Sequence, residues 1–188
     1  MNHYEQAGLV FYSEKNHLMA SNFFSQGLEI EPKNGMLWYG LGDSLCHISI
    51  QTGKKDLYSI GLSCVKTSHF LDSNNQYASS MLERMKKNPE IGTEFIEKLP
   101  VVDLNLSSKF ILDISNEKLI SYFNELKSTD NKIKLIIHLG ETKNIKFYEL
   151  LKHCLLSKSN QNIRFAALKR IPYFKSKKVK EEIFDKII

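Results

Sequence analysis

The residues that could perform chemistry in this chain are six histidines and three cysteines, scattered along 188 residues. Only two sets are adjacent, Cys46-His47 and His153-Cys154. Neighbouring side chains on a helix point about 100° apart, so neither pair can aim both ligand atoms at one metal ion. We therefore expect no metal site, and we interpret Cys64 and Cys154 as small buried hydrophobic residues.

Carboxylates are a second source of chemistry, through the pairs Asp103 with Asp113 and Glu94 with Glu97. Polar faces of helices and loops produce such pairs routinely, which argues against general acid–base catalysis here. The sequence also has no phosphate-binding glycine loop, no nucleophile elbow and no His-Glu-x-x-His motif. We predict no catalytic residue, no cofactor and a protein that is not an enzyme.

The charge is divided unevenly along the chain. Residues 1–129 carry 12 Lys and Arg against 15 Asp and Glu, a net charge of −3, whereas residues 130–188 carry 14 against 6, a net charge of +8. Such asymmetry can mark a surface for nucleic acid or for an acidic partner, and it is also typical of an ordinary solvated face. Both interpretations stay open.

The composition is that of a soluble globular protein, with 42% hydrophobic and 25% charged residues. The start at Met1–Glu5 has no basic or apolar region of a signal peptide, and the sequence contains no run of about 18 apolar residues, so we expect no leader and no membrane partner. The odd number of widely spaced cysteines argues against a disulfide framework. We therefore expect a cytoplasmic protein.

Small, aromatic and proline residues recur near the N-terminus at the spacing of a packed helix pair. Small residues allow two short antiparallel helices to cross closely, aromatic residues fill the space beside the crossing, and a proline ends the second helix. The residues at these positions are Tyr4, Ala7, Gly8, Phe11, Ala20, Phe24, Gly27 and Pro32. This segment resembles a tetratricopeptide (TPR) repeat, a family of helix hairpins that stack into solenoids.

A second such repeat begins with Trp38, Leu41, Gly42 and Leu45, and we place Trp38 in the core. This repeat is about seven residues too long for the family, and the excess lies around residues 50–56. Either its first helix is longer or the connecting loop protrudes. A third helix, from Gln76 to about Lys87, is expected to cap the repeats, because a solenoid end otherwise exposes its apolar face.

The C-terminal part has a different period, of about 30 residues. The segment Leu119–Asp130 followed by Ile133–Ile137 recurs as Glu149–Asn160 followed by Ile163–Ala167, which aligns Lys134 with Arg164. It resembles HEAT-like repeats, in which a turn with Asp or Asn leads into a second helix carrying an Arg and an Ala pair. A last helix over Lys177–Ile188 is expected either to dock on the body or to form the edge of a longer protein.

These patterns together predict an all-α protein, an α-solenoid of antiparallel helix pairs that is TPR-like and then HEAT-like. We expect TPR-like repeats with a capping helix over residues 1–88 and HEAT-like repeats over residues 116–188. Residues 89–115 are expected to form a linker or irregular connection, with a short helix at 93–99 and an extended or linking stretch at 101–106. A continuous superhelix through this region is the alternative.

The TPR resemblance implies that one face of each first helix lines a concave groove for a peptide or protein partner. The candidate binding residues on that face are Tyr12, Tyr39, Asp43, Tyr77 and Arg84. Tyrosine offers a large contact area with few torsions to freeze. The same tyrosines could also be ordinary half-buried surface residues. The family's clamp for terminal carboxylates is not expected, because Glu5 and Leu9 occupy its positions.

The alternative is a nucleic-acid-binding HEAT-like protein, since one HEAT-like family comprises DNA glycosylases that grip duplex DNA with a basic concave surface. The candidate phosphate contacts are Lys134, Arg164, Lys169, Arg170 and Lys178. These basic residues lack interleaved aromatic residues beyond Tyr173 and Phe174, and no pocket for an extruded base can be named. The sequence therefore favours a non-enzymatic adaptor or scaffold.

Overall fold

The computed structural model describes residues 2–102, 104–156 and 160–173, and the chain divides into two compact units, Met1–Leu112 and Asp113–Ile188. All regular secondary structure in the described residues is helical, so the prediction of an all-α protein is confirmed. Within those residues, no helix is both long enough and apolar enough to cross a membrane.

The first unit is a succession of helices in which each packs against the next along the chain. Their bounds are α1 His3–Ser13, α2 His17–Ile30, α3 Gly35–Thr52, α4 Lys55–Leu71, α5 Gln76–Lys86 and α6 Gly92–Lys98, followed by a 3-10 helix at Leu104–Phe110. Asparagine side chains begin four of these helices by accepting hydrogen bonds from backbone amides of the first turn, which satisfies donors that a helix start leaves unpaired. These residues are Asn2, Asn16, Asn34 and Asn75.

Helix ends fall where the sequence chemistry requires them. Helix α2 ends at Ile30, just before Pro32, as predicted. The excess length of the second helix pair lies in the helices themselves, since α3 has 18 residues and α4 has 17. Gly53 ends α3 in the left-handed conformation, with φ of 71°, so the connection is short and does not protrude.

A phenylalanine ring fills the space between α1 and α3. A Cβ atom added at Gly8 would lie 2.6 Å from the Phe24 ring, and one added at Gly40 would lie 2.7 Å from it. The ring therefore occupies the room that two missing side chains leave. Trp38 is also fully buried, and its indole Nε1 donates a hydrogen bond of 2.7 Å to the carbonyl of Pro32. Trp38 is a core residue, as predicted.

Two glycines allow α3 and α4 to cross at backbone distance. A Cβ atom at Gly42 would lie 2.6 Å from the carbonyl oxygen of Gly61, and one at Gly61 would lie 2.6 Å from the carbonyl oxygen of Gly42. The position of α3, which carries Tyr39 and Asp43, therefore depends on this crossing.

Helix α6 and the residue after it, Leu99, pack against α4. Ile96 of α6 and Leu99 are buried in a cluster with Leu62 and Val65 of α4. The Lys66 ammonium donates hydrogen bonds to the carbonyls of residues 96, 97 and 99, at 3.2, 2.7 and 2.6 Å, and so caps the end of α6. Residues 89–112 belong to the first unit, and a 3-10 helix begins at Leu104 inside the stretch predicted to be extended or a linker.

The second unit contains four described α-helices. Their bounds are α7 Asn116–Glu125, α8 Thr129–Glu141, α9 Tyr148–Leu156 and α10 Gln161–Arg170, with 3-10 helices at Ile145–Phe147 and Ile171–Tyr173. Helix α10 packs against α8 and α9, and its alanine pair, Ala166 and Ala167, is buried. Asn160 is the N-cap of α10, whereas Asp130 lies in the first turn of α8 behind the N-cap Ser128. The helix predicted over Lys177–Ile188 lies outside the described residues.

Candidate partner-binding groove

A groove of about 330 Å³ lies on the first unit where α1, α3 and α5 meet. Its walls include Glu5, Leu9, Tyr12, Met36, Tyr39 and Tyr77, and Phe24 and Gly40 lie at its base. The groove brings together the three tyrosines that the sequence predicted as binding residues. It is lined mainly by apolar and aromatic side chains, the usual composition of a binding site.

Arg84 lines an adjoining depression of about 380 Å³, which shares Tyr39 and Tyr77 with the groove. The rings of these two tyrosines are 5.7 Å apart between centroids and tilted by 30°. Tyr77 is 64% exposed and Leu9 is 40% exposed, so part of the aromatic and aliphatic surface is open to a partner.

Asp43 lies beneath the groove, although the sequence predicted that it contacts a partner. The residue is 8% exposed, and its carboxylate accepts hydrogen bonds from the hydroxyls of Tyr12 and Tyr39. Tyr39 precedes it by one helical turn on α3, while Tyr12 comes from α1. Asp43 therefore orients two tyrosines of the groove.

Burial raises the pKa of both of these tyrosines. It is the largest cause of the raised pKa of Tyr12, followed by the hydrogen bond to Asp43. Burial and the Asp43 charge together raise the pKa of Tyr39 to about 12. Each phenol is therefore protonated and can donate a hydrogen bond to the carboxylate. These two hydrogen bonds to Asp43 hold the tyrosine side chains in place.

A pair of histidines beside Asp43 was not predicted, because the two residues are far apart in the sequence and form no adjacent ligand pair. The rings of His17 and His47 stack with centroids 4.2 Å apart, and His47 Nε2 lies 3.8 Å from Asp43 Oδ1. His17 Nδ1 is buried without a hydrogen-bond partner, and burial, then the charge of His47, lowers the pKa of His17. The four-residue spacing of Asp43 and His47 on a helix is the signal that could have indicated part of this cluster.

Glu5 supplies the carboxylate of the groove. Asn34 donates a 3.4 Å hydrogen bond from Nδ2 to Glu5 Oε2. The pKa of the Glu5 carboxyl is raised, first by burial, with the Asn34 hydrogen bond acting in the opposite direction. The charge on Glu5 is thus only partly solvated.

The predicted basic contacts of the C-terminal part lie in different environments. Lys134 and Arg164 are exposed, while Lys169 places its ammonium 4.3 Å from the centroid of the Phe165 ring. Arg170 is held by an ion pair, with Nη2 3.0 Å from Oε1 of Glu141. Lys178 lies outside the described residues.

The thiols of the chain are unsuited to attack on a substrate. Cys46, Cys64 and Cys154 are buried and free of disulfides. Burial raises the pKa of Cys46 and of Cys154 to about 12, and it raises the pKa of Cys64 further. The thiolate, which is the nucleophilic form, is therefore scarce at neutral pH.

No protein-family model, curated protein or solved structure matches this chain.

Proposed function

We propose that this protein is a non-enzymatic interaction module, an adaptor or scaffold that binds a peptide or protein partner in the groove of the first unit. The observation that carries the proposal is the set of groove tyrosines, two of which are oriented by one buried carboxylate, Asp43. The proposal includes an α-solenoid built from TPR-like and then HEAT-like helix pairs, which the sequence resemblances support.

The groove has the properties that favour association. Exposed apolar and aromatic surface that clusters on a folded protein commonly marks an interaction site. Tyr12 and Tyr39 are already ordered by Asp43, so a partner would lose little entropy in fixing them. Tyr77, whose ring centroid lies 5.7 Å from that of Tyr39, adds exposed contact area.

The absence of an enzymatic role is part of the same proposal. Its support is that the phenols of Tyr12 and Tyr39 and all three thiols have raised pKa values, which keeps them from acting as bases or nucleophiles near neutral pH. We also propose a cytoplasmic location, because free cysteines suit a reducing compartment.

Site-specific photocrosslinking tests the groove as the binding site. A benzoylphenylalanine in place of Tyr77, which is 64% exposed, should capture a partner in cells. The same amino acid in place of Phe70, which is 72% exposed and does not line the groove, is the matched control. Equal capture at both positions, or capture at Phe70 alone, would remove the groove as the site.

A second variant shows whether capture depends on the tyrosines. Tyr39→Ala should reduce crosslinking through position 77, because it removes one wall of the groove, whereas Phe70→Ala should leave it unchanged. Far-ultraviolet circular dichroism establishes that both variants stay helical. Undiminished capture by folded Tyr39→Ala would contradict the proposed role of the groove.

A further inference from the structure

The groove continues beyond Tyr39 and Tyr77. The adjoining depression has those two tyrosines in its own lining, together with Ser80, Met81 and Arg84 of α5. The two depressions share those two residues and therefore adjoin on the first unit, and we refer to them together as the channel. Glu5 lines one half of this channel, and Arg84 lines the other.

The Glu5 half of the channel suits a cation. The side-chain partner of its carboxylate is the amide of Asn34, at 3.4 Å, and no Lys or Arg side chain in the described part of the chain forms an ion pair with it. Burial and the neighbouring charge of Glu31 raise the pKa of this carboxyl, and the Asn34 hydrogen bond and the chain's amino terminus oppose them only in part. The carboxylate therefore gains free energy when a further cation approaches. A ligand ammonium or guanidinium would supply that charge.

The Arg84 half suits an anion. Arg84 is exposed on α5, and among the described residues no carboxylate lies within ion-pair distance of its guanidinium. A guanidinium presents paired donors that match a carboxylate. The channel therefore has one negative and one positive end.

Between these ends the channel is apolar. Leu9, Met36 and Phe24 line this section, and Gly40 adds no side chain next to the Phe24 ring. The hydroxyl protons of Tyr12 and Tyr39 point to Asp43, so these residues have no proton to donate to a ligand. A large apolar side chain fits this middle section better than a polar one.

Resting on the proposed function, we infer that the channel binds a peptide segment with a basic side chain at Glu5, a large apolar side chain over Phe24 and an acidic side chain at Arg84. The charge complementarity at both ends selects this occupant. Three different chemistries along one channel correspond to successive side chains of a polypeptide.

Short synthetic peptides with a central phenylalanine test this inference with the full chain. Four patterns are compared by fluorescence anisotropy: basic–apolar–acidic in both directions, basic–apolar–basic and acidic–apolar–acidic. At least one of the two mixed patterns should bind about threefold to tenfold more tightly than either pattern with like charges. Equal affinities for all four patterns, or no binding of any at about 1 mM peptide, would overturn the inference.

Charge reversal at each end gives the decisive contrast. Glu5→Lys should shift the preference to the doubly acidic peptide, and Arg84→Glu should shift it to the doubly basic one. Glu29→Lys, an exposed reversal on α2 outside the channel, is the matched control and should keep the original preference. Unchanged preferences in folded Glu5→Lys and Arg84→Glu would overturn the assigned ends.

The half-buried Glu5 also needs a milder change, in case its reversal disturbs folding. Glu5→Gln keeps a hydrogen-bond acceptor for Asn34 and should lose only the preference for a basic side chain. If it keeps that preference, the inference fails. If a partner crosslinks through position 77 but the peptides show no charge preference, this inference fails and the proposed function stands. If neither crosslinking nor a peptide preference is observed, the inference and the proposed function both fail.

Discussion

Gly61→Ala should destabilise the first unit, although alanine is the better helix former. The new Cβ would lie 2.6 Å from the carbonyl oxygen of Gly42 and 2.7 Å from Cys46 Sγ, whereas ordinary contact begins near 3.4 Å. Helices α3 and α4 would have to separate by roughly 0.8 Å at a close-packed crossing. A backbone carbonyl cannot rotate away as a flexible side chain can.

The expected size follows from two opposing contributions. Overpacking in a core costs about 1–3 kcal/mol, and replacing a mid-helix glycine by alanine gains roughly 0.5–1 kcal/mol. The net loss in free energy of unfolding should be about 1–2 kcal/mol, which lowers the urea midpoint by roughly 1 M.

The single tryptophan makes the assay specific to the first unit. Trp38 is fully buried in the first unit and is the single tryptophan of the chain, so its fluorescence reports unfolding of that unit alone. Gly27→Ala is the matched control, because the atoms nearest to its new Cβ are terminal methyls of Leu37, which can move. It should lose clearly less stability. If Gly61→Ala is as stable as Gly27→Ala or more stable than wild type, the close crossing of α3 and α4 is wrong.

Two further predictions concern the titration of His17 and the hydrogen bonds of Lys66, both in the first unit. Burial and the neighbouring His47 lower the pKa of His17, with Asp43 opposing them and Lys15 adding to them, so the unfolded chain takes up a proton at higher pH than the folded one. Stability should therefore fall as pH drops below about 6.5, until His17 is also protonated in the folded state. His17→Gln should flatten that decline in urea midpoints, and parallel curves would contradict it. Lys66→Met should cost about 1–2 kcal/mol and speed hydrogen exchange in α6, because the carbonyls at its end lose a charged donor. Lys86→Met, which breaks only a surface pair, is its control, and equal losses would refute the capping role.

The sequence predicted the helices of the first unit well because their ends depend on local chemistry. Pro32 cannot continue a helix, and Gly53 adopts a left-handed conformation that most residues avoid. Trp38 was placed in the core from its position in the repeat, and its burial confirms this. Local signals of this kind need no knowledge of the partner helix.

The contacts around Asp43 could not be predicted from such local signals. Helical periodicity places Asp43 on the face with Tyr39 and His47, and it does not show that Tyr12 and His17 lie against this face. The contacts of Tyr12 with Asp43 and of His17 with His47 join residues about 30 positions apart. Likewise, the role of Gly40 becomes visible only with the Phe24 ring in place.

The shared carboxylate under the groove limits how far the binding surface can adapt. If a ligand turned Tyr12 or Tyr39 away from Asp43, a buried charge would lose a donor, and that loss opposes the movement. The tyrosine walls should therefore keep their shape when the groove is filled. A surface of fixed shape discriminates among ligands by shape complementarity. We therefore expect it to bind a few peptide sequences with high affinity and not many sequences with low affinity.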